Sequence, residues 1–279
     1  MELLTVCLMA IMLLCGASSC LAEAPVPAAE VSLSTGVVYI PDAYQPDEGR
    51  IDMVVHFHGA PEHVRDRFLE SGRSAVLVAV SFKGLSEAYG KPFRGTDLFR
   101  RVLGEATRRT ADHFGLKRVK VRRLVLSSFS AGYGAIREIL KLPEYQALIS
   151  DVVLADSLYA GYVQVGGRNA VDPEDMASFV PFARRAAEGK ATMFITYSGV
   201  IPPNYASTEE TADYLIRQVG AKKVKASGES PPGMKLTAKA DLGGFHIRGY
   251  AGNTGPDHMK HLHALGAWLR HTSLKEAEK

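Results

Sequence analysis

Arg123-Leu124-Val125-Leu126-Ser127-Ser128-Phe129-Ser130-Ala131-Gly132-Tyr133-Gly134 is the stretch whose reading decides the fold. Leu124 to Leu126 are a short apolar run, which reads as a strand buried on both faces. Gly134 to Leu142 has helical character and stops at Pro143. A strand that passes directly into a helix leaves only a sharp turn for Ser130. In such a turn the residues two before and two after the centre approach neighbouring backbone, so both must be small. Here they are Ser128 and Gly132. The turn also sets the Ser130 side chain beside unpaired N–H groups at the helix start, which favour developing negative charge. Ser130 is therefore the candidate nucleophile, and the amide of Ala131 a candidate oxyanion donor.

Working outward, further short apolar runs read as strands: Val37 to Ile40, Ile51 to Phe57, Ala75 to Val80, Val152 to Leu154, Thr192 to Thr196 and Phe245 to Tyr250. Helical patterns fall between them, over Thr96 to His113, Pro173 to Glu188, Ser207 to Val219 and His258 to Leu269. Asp172 is placed as an N-cap, and Ser207 with Glu210 as a capping box. Alternating strands and helices predict an α/β domain with a central, mostly parallel sheet and right-handed crossovers. Ser157 to Val171, rich in Tyr and Gly, is expected to overhang a pocket. Lys222 to Ala240 is expected to be an exposed excursion.

The formal charge of +3 is small for 279 residues, which argues against nucleic acid as a partner. The basic run Lys117 to Arg123 reads as a solvated face at the entry of a strand. Leu3 to Leu14 are almost wholly apolar and small residues follow, the layout of a secretory signal over 1–22. The run is too short for a membrane span. All three cysteines, Cys7, Cys15 and Cys20, lie here. Ala17-Ser18-Ser19-Cys20 also resembles a lipoprotein box, which would end the signal at Ser19 and put a lipid anchor on Cys20. Either way the expectation is an exported protein, periplasmic or extracellular, with no disulfide in its mature chain. Residues 23–34 read as a linker, 35–272 as the domain and 273–279 as a polar tail.

A serine hydroxyl needs a base, and a histidine held by a carboxylate serves best near neutral pH. His258, His246 and His261 are the candidate bases. Asp156, ending an apolar run, would be costly to bury without a partner. Asp257, adjacent to His258, is poorly placed to orient it, and Glu209 and Glu210 are explained by helix capping. In Val54-Val55-His56-Phe57-His58-Gly59-Ala60-Pro61, His56 and His58 share one strand face. With Glu62 and His63 they suggest a metal alternative, although the spacing is two residues too long and Pro61 interrupts it.

The set His58-Gly59-Ala60-Pro61, Ser128-Phe129-Ser130-Ala131-Gly132-Tyr133-Gly134, Asp156 and His258 resembles the α/β-hydrolase superfamily, in particular its secreted esterase-like bacterial members, over residues 35 to 270. The resemblance implies no metal or organic cofactor. It implies a chain order of serine, acid, histidine, with the histidine after the last strand, which selects His258. It implies a second oxyanion donor in the loop after an early strand, at Ala60 or Gly59. Two departures stand out. Serine occupies position 128 where the family pattern has glycine, and the acid, Asp156, comes one strand earlier than the usual site. On this reading the protein cleaves a small ester through an acyl-enzyme, with Tyr133, Tyr159 and Tyr162 lining the pocket. The alternatives are a non-catalytic binding protein on the same fold and a metal-dependent hydrolase using His56 and His58.

Overall fold

The computed structural model describes residues 28–42 and 44–277. The signal expected over 1–22 and the lipid anchor at Cys20 lie outside the described residues. The chain opens with β1 (Ala29–Leu33), β2 (Gly36–Ile40), β3 (Arg50–Phe57), α1 (Pro61–Ser71), β4 (Val76–Val80), α2 (Ser86–Phe93) and α3 (Asp97–His113). Then come β5 (Lys120–Phe129), a single 3-10 turn at Ser130–Gly132, α4 (Tyr133–Ile139), α5 (Pro143–Gln146), β6 (Ile149–Ala155) and the hairpin β7 (Tyr162–Val165) and β8 (Arg168–Val171). It closes with α6 (Pro173–Met176), α7 (Phe179–Ala187), β9 (Thr192–Tyr197), α8 (Thr208–Val219), β10 (Val224–Lys225), β11 (Leu236–Leu242), β12 (Phe245–Tyr250), α9 (Gly255–His263) and α10 (Leu265–Leu269).

Among the described residues ten strands form one sheet, in the order β1-β2-β4-β3-β5-β6-β9-β12-β11-β10. The run from β4 to β12 is parallel, and the strands outside it pair antiparallel. This is the α/β-hydrolase fold. The sequence cause is the run of residues that are apolar on both pleat faces. In β3, Val55 and Phe57 face one core while Val54 faces the other, and all three are fully buried. The first core is closed by α2, α3, α4, α7 and α8, for instance through Phe99, Ile136, Ala183 and Leu215. The second is closed by α1 and the α9–α10 pair through Phe68, Leu262 and Trp268.

Several expected boundaries move. The segment read as linker 23–34 holds β1, because Val31 and Leu33 pack against the core and Leu33 pairs with Gly36 across a tight turn. In the tail 273–279 the described residues, 273–277, are tied down, with Leu274 buried and the Lys275 carbonyl accepting from Ser74 N–H. Pro173 to Glu188 is two helices, α6 and α7, rather than one. The excursion Lys222 to Ala240 carries β10 and most of β11. In β11 Ala238 and Ala240 alternate with the exposed Thr237, Lys239 and Asp241, so the polar residues of one face mask the strand. Asp172 caps α6 and Ser207 caps α8 with Glu210, as expected.

Candidate active site

β5 ends at Phe129, and the chain turns through Ser130 at φ 48°, in the left-handed region. A non-glycine residue held there costs about 1–3 kcal/mol, which the surroundings must supply. The turn closes because Gly132 has no side chain: a Cβ at that position would lie 2.2 Å from the Phe57 carbonyl oxygen of β3. Ser128 fits where glycine is usual because its hydroxyl is used. The Ser157 hydroxyl donates to the Ser130 carbonyl at 2.8 Å, and Ser128 Oγ lies 2.7 Å from Ser157 Oγ. With the Ser157 proton committed, Ser128 must be the donor in that pair. The two serines thus tether the strained turn to the end of β6.

His258 stands in the first turn of α9, whose N-cap Thr254 forms a capping box with Asp257. The helix begins at Gly255, before the loop expected there ends. The His258 ring stacks on Phe129 with centroids 4.5 Å apart, beside the serine turn. Its Nδ1 donates to Asp156 Oδ2 at 2.7 Å. Asp156 follows β6 at φ 46° and is fully buried. Its Oδ1 accepts from Ser198 N–H at 3.0 Å and from the Thr208 hydroxyl at 2.5 Å, and its Oδ2 also accepts from the Ser198 hydroxyl at 2.6 Å. The acceptor capacity of a carboxylate is thereby filled. Burial pushes the Asp156 carboxyl up, but the hydrogen bond from His258, the charges of His261 and His258 and the Ser198 bond outweigh it and hold it at about 2. Asp156 is an anion at neutral pH, and the proton on this side of His258 is fixed at Nδ1. Nε2 is left as the basic nitrogen.

The rival histidines are occupied elsewhere. His246 Nδ1 pairs with Asp241 at 2.7 Å on the outer part of the sheet. His261 is buried behind Asp156, its Nδ1 2.7 Å from Thr196 Oγ1. That oxygen also accepts from Asp156 N–H. Burial pushes His261 down to about 4 against the pull of Asp156. Asp257 is turned to Thr254 and Lys260 rather than to His258. Glu209 pairs with Lys223. His56 has both ring nitrogens engaged, Nδ1 with the Ser127 hydroxyl at 3.0 Å and Nε2 with the His58 carbonyl at 3.1 Å, and burial pushes it down to about 3. Neither nitrogen is free for a metal. His58 Nδ1 lies 2.9 Å from the Tyr89 hydroxyl, which itself donates to the Phe82 carbonyl.

Ser130, Ala131, His258, Tyr133 and Tyr159 line one cleft of about 650 Å3. Gly59 and Ala60 line an adjoining depression with His58 and Phe129. Among the described residues their N–H groups have no backbone hydrogen-bond acceptor. Tyr162 does not reach the cleft: its hydroxyl donates to Glu210 at 3.0 Å, because β7 carries it toward the start of α8. Sequence reasoning missed Ser198, Thr208 and Ser157, which hold Asp156 and the turn, and Arg137, Asp175 and Tyr205, which wall the cleft. No local pattern marks them, since each acts across long sequence separations.

No family model and no curated protein matches the sequence. Solved structures similar in chain course include TT1662 from Thermus thermophilus, 18% identical, covering 87% of this chain and 98% of that one, with a TM-score of 0.45. Carboxyl esterase 2 from the mycorrhizal fungus Tuber melanosporum is 11% identical, covering 88% and 86%, with a TM-score of 0.44. A siderophore hydrolase from Aspergillus nidulans is 13% identical, covering 86% and 92%, with a TM-score of 0.42. Likeness at this level carries nothing about the reaction.

Proposed function

We propose that this protein is a serine hydrolase that cleaves carboxylic esters through an acyl-enzyme on Ser130. The observation that carries the reading is the bond from His258 Nδ1 to the caged Asp156 carboxylate, with His258 and Ser130 lining one cleft. In the first step Ser130 Oγ attacks the ester carbonyl carbon, and His258 Nε2 takes the hydroxyl proton. Asp156 stabilises the imidazolium without itself taking the proton, since its carboxyl titrates near 2. The tetrahedral oxyanion is received by the Ala131 amide and by that of Ala60 or Gly59, each such donor being worth about 10²–10³-fold in rate. The imidazolium then protonates the departing alcohol, which leaves as the C–O bond breaks. Water, deprotonated by the same nitrogen, releases the acid and restores Ser130.

A fluorophosphonate probe with a p-nitrophenyl ester screen tests the reading. The expected result is a stoichiometric adduct on Ser130 and turnover that disappears in Ser130→Ala. Unlabelled, inactive wild-type protein would favour a binding protein on this fold. Hydrolysis that survives Ser130→Ala but stops with a chelator would favour the metal-dependent alternative.

A further inference from the structure

We infer that the cleft selects esters carrying a hydroxylated aromatic ring, an inference that rests on the esterase reading. Beyond Ser130 the cleft wall is a continuous run of tyrosine rings. Tyr133 and Tyr159 have centroids 5.6 Å apart, and Tyr159 and Tyr205 5.5 Å apart, both in tilted or edge-to-face contact. All three line the same cleft as the candidate nucleophile. Their spacing lies within the range at which aromatic rings attract one another, so a further ring laid against this wall meets the same geometry. The mouth is apolar, with Leu85 and Ile201 each 81% exposed. Large apolar side chains left this open at a cleft entrance are suited to cover a bulky hydrophobic group.

The same wall carries a polar pair. Arg137 lies over the Tyr133 ring at 5.0 Å and donates to Asp175 and to the Tyr159 carbonyl, each at 2.7 Å. The other Asp175 oxygen accepts from Gly161 N–H at 2.7 Å. A carboxylate has about four acceptor positions, so Asp175 retains capacity for a substrate hydroxyl. Arg137 is the one arginine or lysine among the described residues that line the cleft, and its charge is matched by Asp175. A substrate carboxylate or phosphate would therefore meet no unpaired cation. The cleft suits a neutral ring with a hydroxyl, and its volume of about 650 Å3 exceeds what a short acyl group fills.

Two matched ester pairs test this. One compares the ethyl esters of para-hydroxyphenylpropanoic acid and cyclohexylpropanoic acid. The other compares para-hydroxyphenethyl acetate with cyclohexylethyl acetate, which puts the ring on the alcohol side. At least one pair should show about tenfold higher kcat/KM for the aromatic member, as one or two ring contacts of roughly 2- to 12-fold each require. Tyr205→Leu, at a partly exposed position, should reduce that ratio several-fold, and a ratio is insensitive to the folded fraction. Equal rates within both pairs, or an aromatic preference that Tyr205→Leu leaves intact, overturns the inference. So does a Ser130 adduct with fluorophosphonate when all four esters are refused. Absence of that adduct overturns the esterase reading instead.

Discussion

Replacing Asp156 by asparagine is the sharpest test of the proposed chemistry, because the hydrogen bonds around it predict a change of tautomer. The Ser198 N–H is a fixed backbone donor to Oδ1, so the asparagine oxygen must face it and can still accept from Thr208. The amide nitrogen then takes the place of Oδ2. The Ser198 hydroxyl can rotate to accept from it, but His258 Nδ1 must now present a lone pair. The imidazole proton is driven to Nε2, the nitrogen required to deprotonate Ser130. Geometry is retained and the base is lost. The expected fall in kcat/KM is about 10³–10⁴-fold, or roughly 4–5.5 kcal/mol of transition-state stabilisation. Stability should fall by only about 1–3 kcal/mol, from loss of the charge in the hydrogen bonds. The assay is p-nitrophenyl acetate hydrolysis at pH 7.5, run beside urea unfolding of both proteins. Activity within tenfold of wild type, or a loss that merely follows the unfolded fraction, would refute the reasoning.

Acidification should weaken the fold in two stages, read by urea unfolding at several pH values. His56 and His261 are held near 3 and 4, below the ordinary 6.5, so the unfolded chain binds protons first as pH falls below 6.5. Each then costs about 2 kcal/mol at pH 5 relative to neutral pH. Asp156 is also depressed, from 3.8 to about 2, so its contribution is full above pH 5 and disappears between about pH 4 and 2. This second stage should be smaller in Asp156→Asn, with the remainder coming from other depressed carboxyls such as Asp257 and Asp241. Gly132→Ala forces a methyl against the Phe57 carbonyl oxygen, and unfolding should show a cost of about 1–3 kcal/mol together with lost esterase activity. Ser128→Ala removes the donor to Ser157, and a stability loss of about 1 kcal/mol with a milder fall in kcat is expected.

Much of the scaffold is legible in single stretches of chain because its causes are local. The apolar runs of β3, β4 and β5 announce strands buried on both faces, and Ser207 with Glu210 announces the start of α8. What escaped were elements whose stability comes from neighbours. α1 is weakly patterned, and it is set by Pro61 in its first turn, a left-handed Gly72 at its end and the packing of Val64 and Phe68. β11 lies inside the short outer strand β10, and its exposed Thr237, Lys239 and Asp241 obscure its alternation. Tyr162 had the right chemistry for a pocket and the wrong direction, which only the β7–β8 hairpin decides.

The acid shows most clearly where local reading stops. The chain after β9, where the resemblance leads one to look for the acid, offers Ser198, and the carboxylate proposed for that role comes from the end of β6. These two strands are parallel neighbours, with Ala155 opposite Thr196, so their ends emerge side by side. A carboxylate from either strand can therefore reach the same point beneath His258, provided the other strand supplies donors rather than a second negative charge. Ser198 supplies both its N–H and its hydroxyl, and Thr208 adds a third bond from the first turn of α8. The left-handed turn at Asp156 is held by its own N–H, bonded to Thr196. The position of the proposed acid and the small hydroxyl residues around it are thus one arrangement: a charge at the end of β6 requires β9 to be its hydrogen-bonding cradle.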